Sequence, residues 1–114
     1  MNEPEAQYLY LTTTGWRSGQ PHQIEIWFTT LDGRWYVLAE HGDRAHWVQN
    51  LRRQPAVSFR VAGHEYQGWA RVIDDAAEPS LAEQVRARSR EKYGWGGGLI
   101  VQLEADSDPP ARSP

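Results

Sequence analysis

A chain of 114 residues fits one domain and leaves no room for two of ordinary size. Its 12 basic and 15 acidic side chains give a net charge of −3, without the basic excess that marks a general nucleic-acid binder. The chain has no cysteine, which excludes disulfides, thiolate zinc sites and thiol nucleophiles together. No apolar run approaches the ~20 residues of a membrane helix, and Met1–Glu5 does not read as a signal peptide, so the expected location is the cytoplasm. Six tryptophans and a ratio of eleven arginines to the single Lys92 stand out in a chain of this size.

The elements follow from hydrophobic period. Tyr8–Thr14, rich in aromatic and β-branched residues, predicts a strand that stops at the glycine-bounded turn Gly15–Gly19. From His22 to Thr30 the pattern alternates, with Ile24, Ile26 and Phe28 on one face and Gln23, Glu25 and Trp27 on the other, which predicts a second, half-buried strand. Asp32-Gly33 is a hairpin signal, and Trp35–Ala39 is its return strand. Trp47, Val48 and Leu51 then recur at helical spacing between Arg44 and Gln54; Asp43 is placed to cap this helix and Pro55 to end it.

Two more alternating segments, Ala56–Val61 and Glu65–Ile73, flank a turn at Ala62–His64. The longest helical stretch lies between Asp74 and Tyr93, with Ser80 and Glu83 at capping-box spacing, Pro79 in the first turn and Gly94 as a left-handed cap. Leu99–Glu104 forms the last strand, and residues 105–114, polar and rich in proline, read as a disordered tail after a single domain of residues 1–104. This order of six mainly antiparallel strands and two helices favours a small barrel and excludes a doubly wound parallel sheet.

Three features could carry chemistry. The turn Gly15-Trp16-Arg17-Ser18-Gly19 offers amides, a hydroxyl and an arginine fork, the parts that hold a phosphate or carboxylate; it could equally be a plain hairpin loop. Glu40–Trp47 joins a strand end through the Gly42 turn to a helix start, a place that attracts anions; His41, Arg44 and His46 add positive or donor character, and the alternative is an ordinary helix cap. Trp16, Trp27 and Trp95 lie outside the apolar faces and suit a flat-ligand cleft, a subunit interface or cross-strand pairing. The histidines lack metal-ligand spacing, so no metal is expected, and neither a nucleophile elbow nor a phosphate-binding Walker loop occurs.

Leu11-Thr12-Thr13-Thr14-Gly15-Trp16-Arg17-Ser18-Gly19-Gln20-Pro21 resembles the Leu-Thr-Thr-Thr-Gly-Arg-Lys-Ser-Gly-x-Pro signature of deazaflavin-dependent nitroreductases and their quinone-reductase relatives. Ile24–Phe28 and the helix Trp47-Val48-Gln49-Asn50-Leu51, closed by Pro55, look like the same family, and weaker similarity continues to Tyr93. The resemblance implies a split β-barrel of the FMN-binding type, working as a homodimer, with the deazaflavin F420 as hydride donor to a quinone, nitro compound or enone. It also implies that Arg17, Ser18, Gly19, His41, Gly42 and Arg44 hold the cofactor's phosphate side, with Trp27, Trp47 and Asn50 completing the cofactor site. Trp16 stands where the family has its first basic residue. The residues leave FMN open as an alternative cofactor, and a non-catalytic flat-ligand or protein-binding module as another function; Tyr36 and Tyr66 are the two tyrosines that could serve as an acid.

Overall fold

Alternating side chains set the architecture. In the computed structural model, which describes residues 6–106, Leu9, Leu11 and Thr13 of β1 (Tyr8–Thr14) point inward and are buried, while Tyr8, Tyr10, Thr12 and Thr14 occupy the other face. The same period buries Val57, Phe59 and Val61 of β5 (Ala56–Val61) and Gly68 and Ala70 of β6 (His64–Ile73). With β2 (Pro21–Trp27), β3 (Thr29–Leu31), β4 (Arg34–Ala39) and β7 (Leu99–Ala105), they form one antiparallel sheet in the order β2-β1-β5-β6-β7-β4-β3.

The sheet has seven strands, not the six expected. The alternation from His22 to Thr30 is real, but the chain leaves the sheet at Phe28 and re-enters it at the opposite edge. Consecutive strands β2 and β3 thus sit at the two margins, linked by one residue, and the sheet must curl until those margins meet. Inside the curl lie Leu9, Leu11, Phe28, Val37, Phe59 and Leu103, with Trp35, Phe59 and Tyr66 in mutual ring contact. β6 serves two neighbours, pairing with β5 through its first half and β7 through its second. Gly68 sits at the changeover, where a Cβ would collide with the Glu104 carbonyl.

Two helices complete the fold. Helix α1 (His46–Arg53) follows a single 3-10 turn at Gly42–Arg44 and buries Val48 and Leu51 against the barrel. Its N-cap is Ala45, without a side-chain cap. The Asp43 carboxylate, expected there, instead accepts from Arg52 Nε at 2.7 Å, an exposed ion pair. Helix α2 (Pro79–Tyr93) seals Tyr36, Ile73 and Ile100 beneath Ala82 and Val85. It begins at Pro79, so Ser80 is already inside the helix and the capping box with Glu83 does not form. Its end is as the sequence predicts: Gly94 adopts φ +80°, the left-handed cap. The hairpin turn Asp32-Gly33 has φ +53° and +78°, the two positive angles of a type I′ turn. β7 runs through Ala105, and residues 107–114 of the expected tail lie outside the described residues.

Candidate functional site

A cavity of about 630 Å³ opens where β2, the end of β4, the start of α1 and the end of α2 converge. Its walls are aromatic: Trp27, Tyr36, Trp47, Tyr93 and Trp95 all line it. Trp27 lies flat on Tyr93 with ring centroids 4.4 Å apart and planes 2° from parallel, while keeping 43% of its surface exposed. Trp95 is set by backbone anchors on either side: Ser89 Oγ donates to its carbonyl, and Arg86 donates to the next carbonyl, Gly96 O, at 2.9 Å. On the cavity wall, the Thr29 hydroxyl is buried without a hydrogen-bond partner among the described residues. The ionisable residues of the lining are Glu25, Glu40, His41 and the tyrosines, with no lysine or arginine among them.

The arginines lie next door, on the β1–β2 turn. Gly15 N donates to Gln20 O and Gly19 N to Gly15 O, both at 2.8 Å, and Ser18 Oγ accepts from Gln20 N at 3.1 Å. Asn50 of α1 fixes this turn from below: its Oδ1 accepts from Trp16 N at 3.3 Å and its Nδ2 donates to Thr13 Oγ1 at 3.1 Å. The Trp16 ring carries two guanidinium groups, Arg17 at 4.6 Å and Arg53 at 4.3 Å from its centre. A Cβ on Gly15 would press against Ser18 Oγ and His22 Nε2, so these two polar side chains sit close over the glycine.

The expected site residues therefore fall into three groups. Trp27, His41 and Trp47 line the cavity. Arg17, Ser18 and Gly19 form the turn, and Gly42 (φ +58°) and Arg44 form the 3-10 turn that leads into α1. Asn50 is buried, and its amide is committed to Trp16 and Thr13, so it ties the turn to the helix. Trp47, on the cavity wall, and Asn50, which holds the arginine turn, are three residues apart on α1, a rise of roughly 4.5 Å along its axis.

Arg53 and Tyr93 are the residues that the sequence reading passed over. Arg53 follows Asn50 by three positions, a same-face spacing that could have flagged it. Tyr93 carried no local signal, because its partners are distant in sequence.

A curled antiparallel sheet covered by two helices, with an aromatic cavity at the place where they meet it, has the architecture of a split β-barrel. A family model described as F420H(2)-dependent quinone reductase matches residues 2–96, and the chain belongs to that family. Solved structures agree on the fold. HutZ, a heme storage protein from Vibrio cholerae, superposes with a TM-score of 0.75 at 20% identity, covering 91% of this chain and 84% of its own. A conserved hypothetical protein from Mycobacterium tuberculosis gives 0.72 at 22% identity over 90% of this chain and 74% of its own. An F420-H2 dependent reductase gives 0.58 at 19% identity over 91% of this chain and 99% of its own. Comparison with curated proteins finds no match.

Proposed function

We propose that this chain reduces a quinone, or a comparably small electrophile, at the aromatic cavity. F420 is the cofactor that family membership gives it. The observation that carries the reading is the junction of two unlike surfaces: a flat, aromatic cavity and a turn bearing Arg17 and Arg53, joined by Asn50.

The residues fit a deazaflavin. The cavity volume lies in the range of small-molecule sites. Trp27 extends its stack on Tyr93 toward the opening, a surface for a planar ring. The unpartnered Thr29 hydroxyl supplies a polar contact in a largely apolar wall. Arg17, Arg53 and the Ser18 hydroxyl are the donors a phosphate requires, and Arg53 restores the charge that Trp16 removes from the family signature. His41, Gly42 and Arg44 extend this donor side toward the cavity, and Trp47 closes its edge.

Reduced F420 supplies hydride; the protein holds and orients the partners and keeps water from the reacting faces. Tryptophan walls exclude water, the arginine turn anchors the anionic end, and the clasped α2 terminus keeps Tyr93 and Trp95 in place.

A second copy of the chain completes the proposal. The outer face of β1, β5 and β6 carries Thr12, Ser58 and Gln67, and Trp69 at 53% exposure. A homodimer would cover this face, and sedimentation analysis reads its mass directly. Among the described residues no helix is long and apolar enough to cross a membrane.

The cofactor is tested by titrating the protein with F420 and, separately, FMN, following tryptophan fluorescence. Micromolar F420 binding with weaker FMN binding supports the proposal, and oxidation of reduced F420 by a quinone completes it. A preference for FMN moves the protein to flavin chemistry, and binding of neither leaves a non-catalytic module.

A further inference from the structure

A polar row crosses four strands beneath α2. Thr29 of β3, Tyr36 of β4, Gln102 of β7 and Arg71 of β6 are successive cross-strand partners. Glu78, at the N-cap position of α2, ends the row with a carboxylate oxygen that accepts from Arg71 Nη1 at 2.6 Å. Arg71 Nε donates to Gln102 Oε1 at 3.4 Å. A guanidinium has donors only, so this contact fixes the amide with its oxygen toward Arg71. Gln102 Nε2 then donates to the Tyr36 hydroxyl at 2.9 Å. The phenol oxygen is an acceptor in that bond and keeps its own hydrogen for another partner.

Among the described residues no protein group takes that hydrogen. Tyr36 is 3% exposed and lines the cavity; its cross-strand neighbour Thr29 lines it too. Tyr66 packs inside the barrel against Trp35 and Phe59 and does not line the cavity. Of the two tyrosines open as an acid, only one is therefore at the site.

We propose that Tyr36 is the proton donor of the reduction, oriented by Gln102 and Arg71. This rests on the reading of the cavity as the place of F420H2-dependent quinone reduction. Conversion of a quinone to a hydroquinone takes up one hydride and one proton. The hydride, with its electron pair, is the one that reduced F420 supplies, and its arrival leaves the charge of a monoanion on a ring oxygen. The O–H bond of Tyr36 breaks, the proton bonds to that oxygen, and the electron pair stays on the phenolate. The Gln102 N–H stabilises the phenolate, Arg71 supports it from behind, and water returns the proton.

The test is Tyr36→Phe, with Gln102→Leu as a second variant, in steady-state quinone reduction and in F420 titration. Tyr36→Phe is expected to lower kcat about a hundredfold, with the quinone KM and the F420 dissociation constant within twofold of wild type. Gln102→Leu leaves the phenol unsupported and is expected to lower kcat about tenfold, again without a change in F420 binding. A Tyr36→Phe protein that binds F420 normally and keeps kcat within threefold overturns the proposal. So does one whose F420 binding is lost, since that assigns Tyr36 to the shape of the cavity. If Tyr36→Phe does not fold, a Gln102→Leu protein with wild-type kcat overturns it alone. A wild-type protein that neither binds F420 nor oxidises its reduced form with a quinone removes the function reading, and this proposal with it.

Discussion

The hydroxyl of Tyr93 does for Phe28 what a neighbouring strand does for every other residue of the sheet. It accepts from Phe28 N at 3.0 Å and lies 2.8 Å from Phe28 O, at the one residue where the chain passes between the two margins of the barrel. Lys92 adds a second clasp, donating to Phe28 O at 2.9 Å and to Ala6 O at 2.8 Å, with its ammonium 3.9 Å from the centre of the Phe28 ring. Tyr93 also supports Trp27, so the end of α2 holds both the barrel closure and one wall of the cavity.

Tyr93→Phe keeps the ring stack and removes the clasp. It leaves a part-buried backbone amide without its partner, which costs about 1–3 kcal/mol. At roughly 4–8 °C per kcal/mol for a domain near this size, the Tm falls measurably. Urea unfolding checks this, and a midpoint equal to wild type rejects the clasp.

Arg17→Ala and Arg53→Ala each remove a charge-assisted contact from the proposed phosphate side. Each should weaken F420 binding by at least ~1.5 kcal/mol, about tenfold, and reduce its salt dependence. Titration by tryptophan quenching measures both, and an unchanged Arg17→Ala dissociation constant takes the turn out of the site.

Asn50→Leu should weaken cofactor binding from a distance. The substitution leaves Trp16 N and Thr13 Oγ1 without their partner, costs about 1–3 kcal/mol, and frees the turn from α1. Stability and F420 affinity should fall together. Loss of stability with full affinity would show that the turn does not need α1 to bind.

Much of this architecture was legible in the sequence, and the failures have physical causes. β1, β5, the Asp32-Gly33 hairpin and the Gly94 cap depend on local geometry alone, and they read correctly. The break at Phe28 left no local trace, because the alternation runs through it undisturbed; only the curl of the whole sheet makes the chain change edges there. Asp43 is well suited to cap a helix, but Arg52, one α-helix length further on, competes for its carboxylate. At the site, the arginine turn and Trp27 were visible from the motif, whereas Tyr93 and the Thr29–Tyr36–Gln102–Arg71 row required strand register.

Acid should loosen α2 before the barrel. The hydrogen-bonded Arg71 guanidinium holds the Glu78 carboxyl below its ordinary 4.5, and Arg86 holds Asp75 below its ordinary 3.8. Because both values are depressed in the folded state, the two pairs contribute fully above the unfolded values and are lost as the pH falls through the folded ones. Stability should therefore be flat above about pH 5 and decline below about pH 4. Amide exchange should rise first near the start of α2, and Glu78→Gln should shallow the decline. Uniform exchange along the whole chain over that range would contradict this order.

The single-residue crossing at Phe28 also decides how the barrel can open. Among the described residues its two margins share no backbone ladder; β2 and β3 end the sheet, and the chain crosses between them through one residue clasped by two side chains from α2. Parting the margins would break those side-chain bonds and leave all six paired ladders whole. The cavity lies along that seam, with Trp27, Phe28 and Thr29 in its wall, so the side chains that close the barrel also bound the cavity.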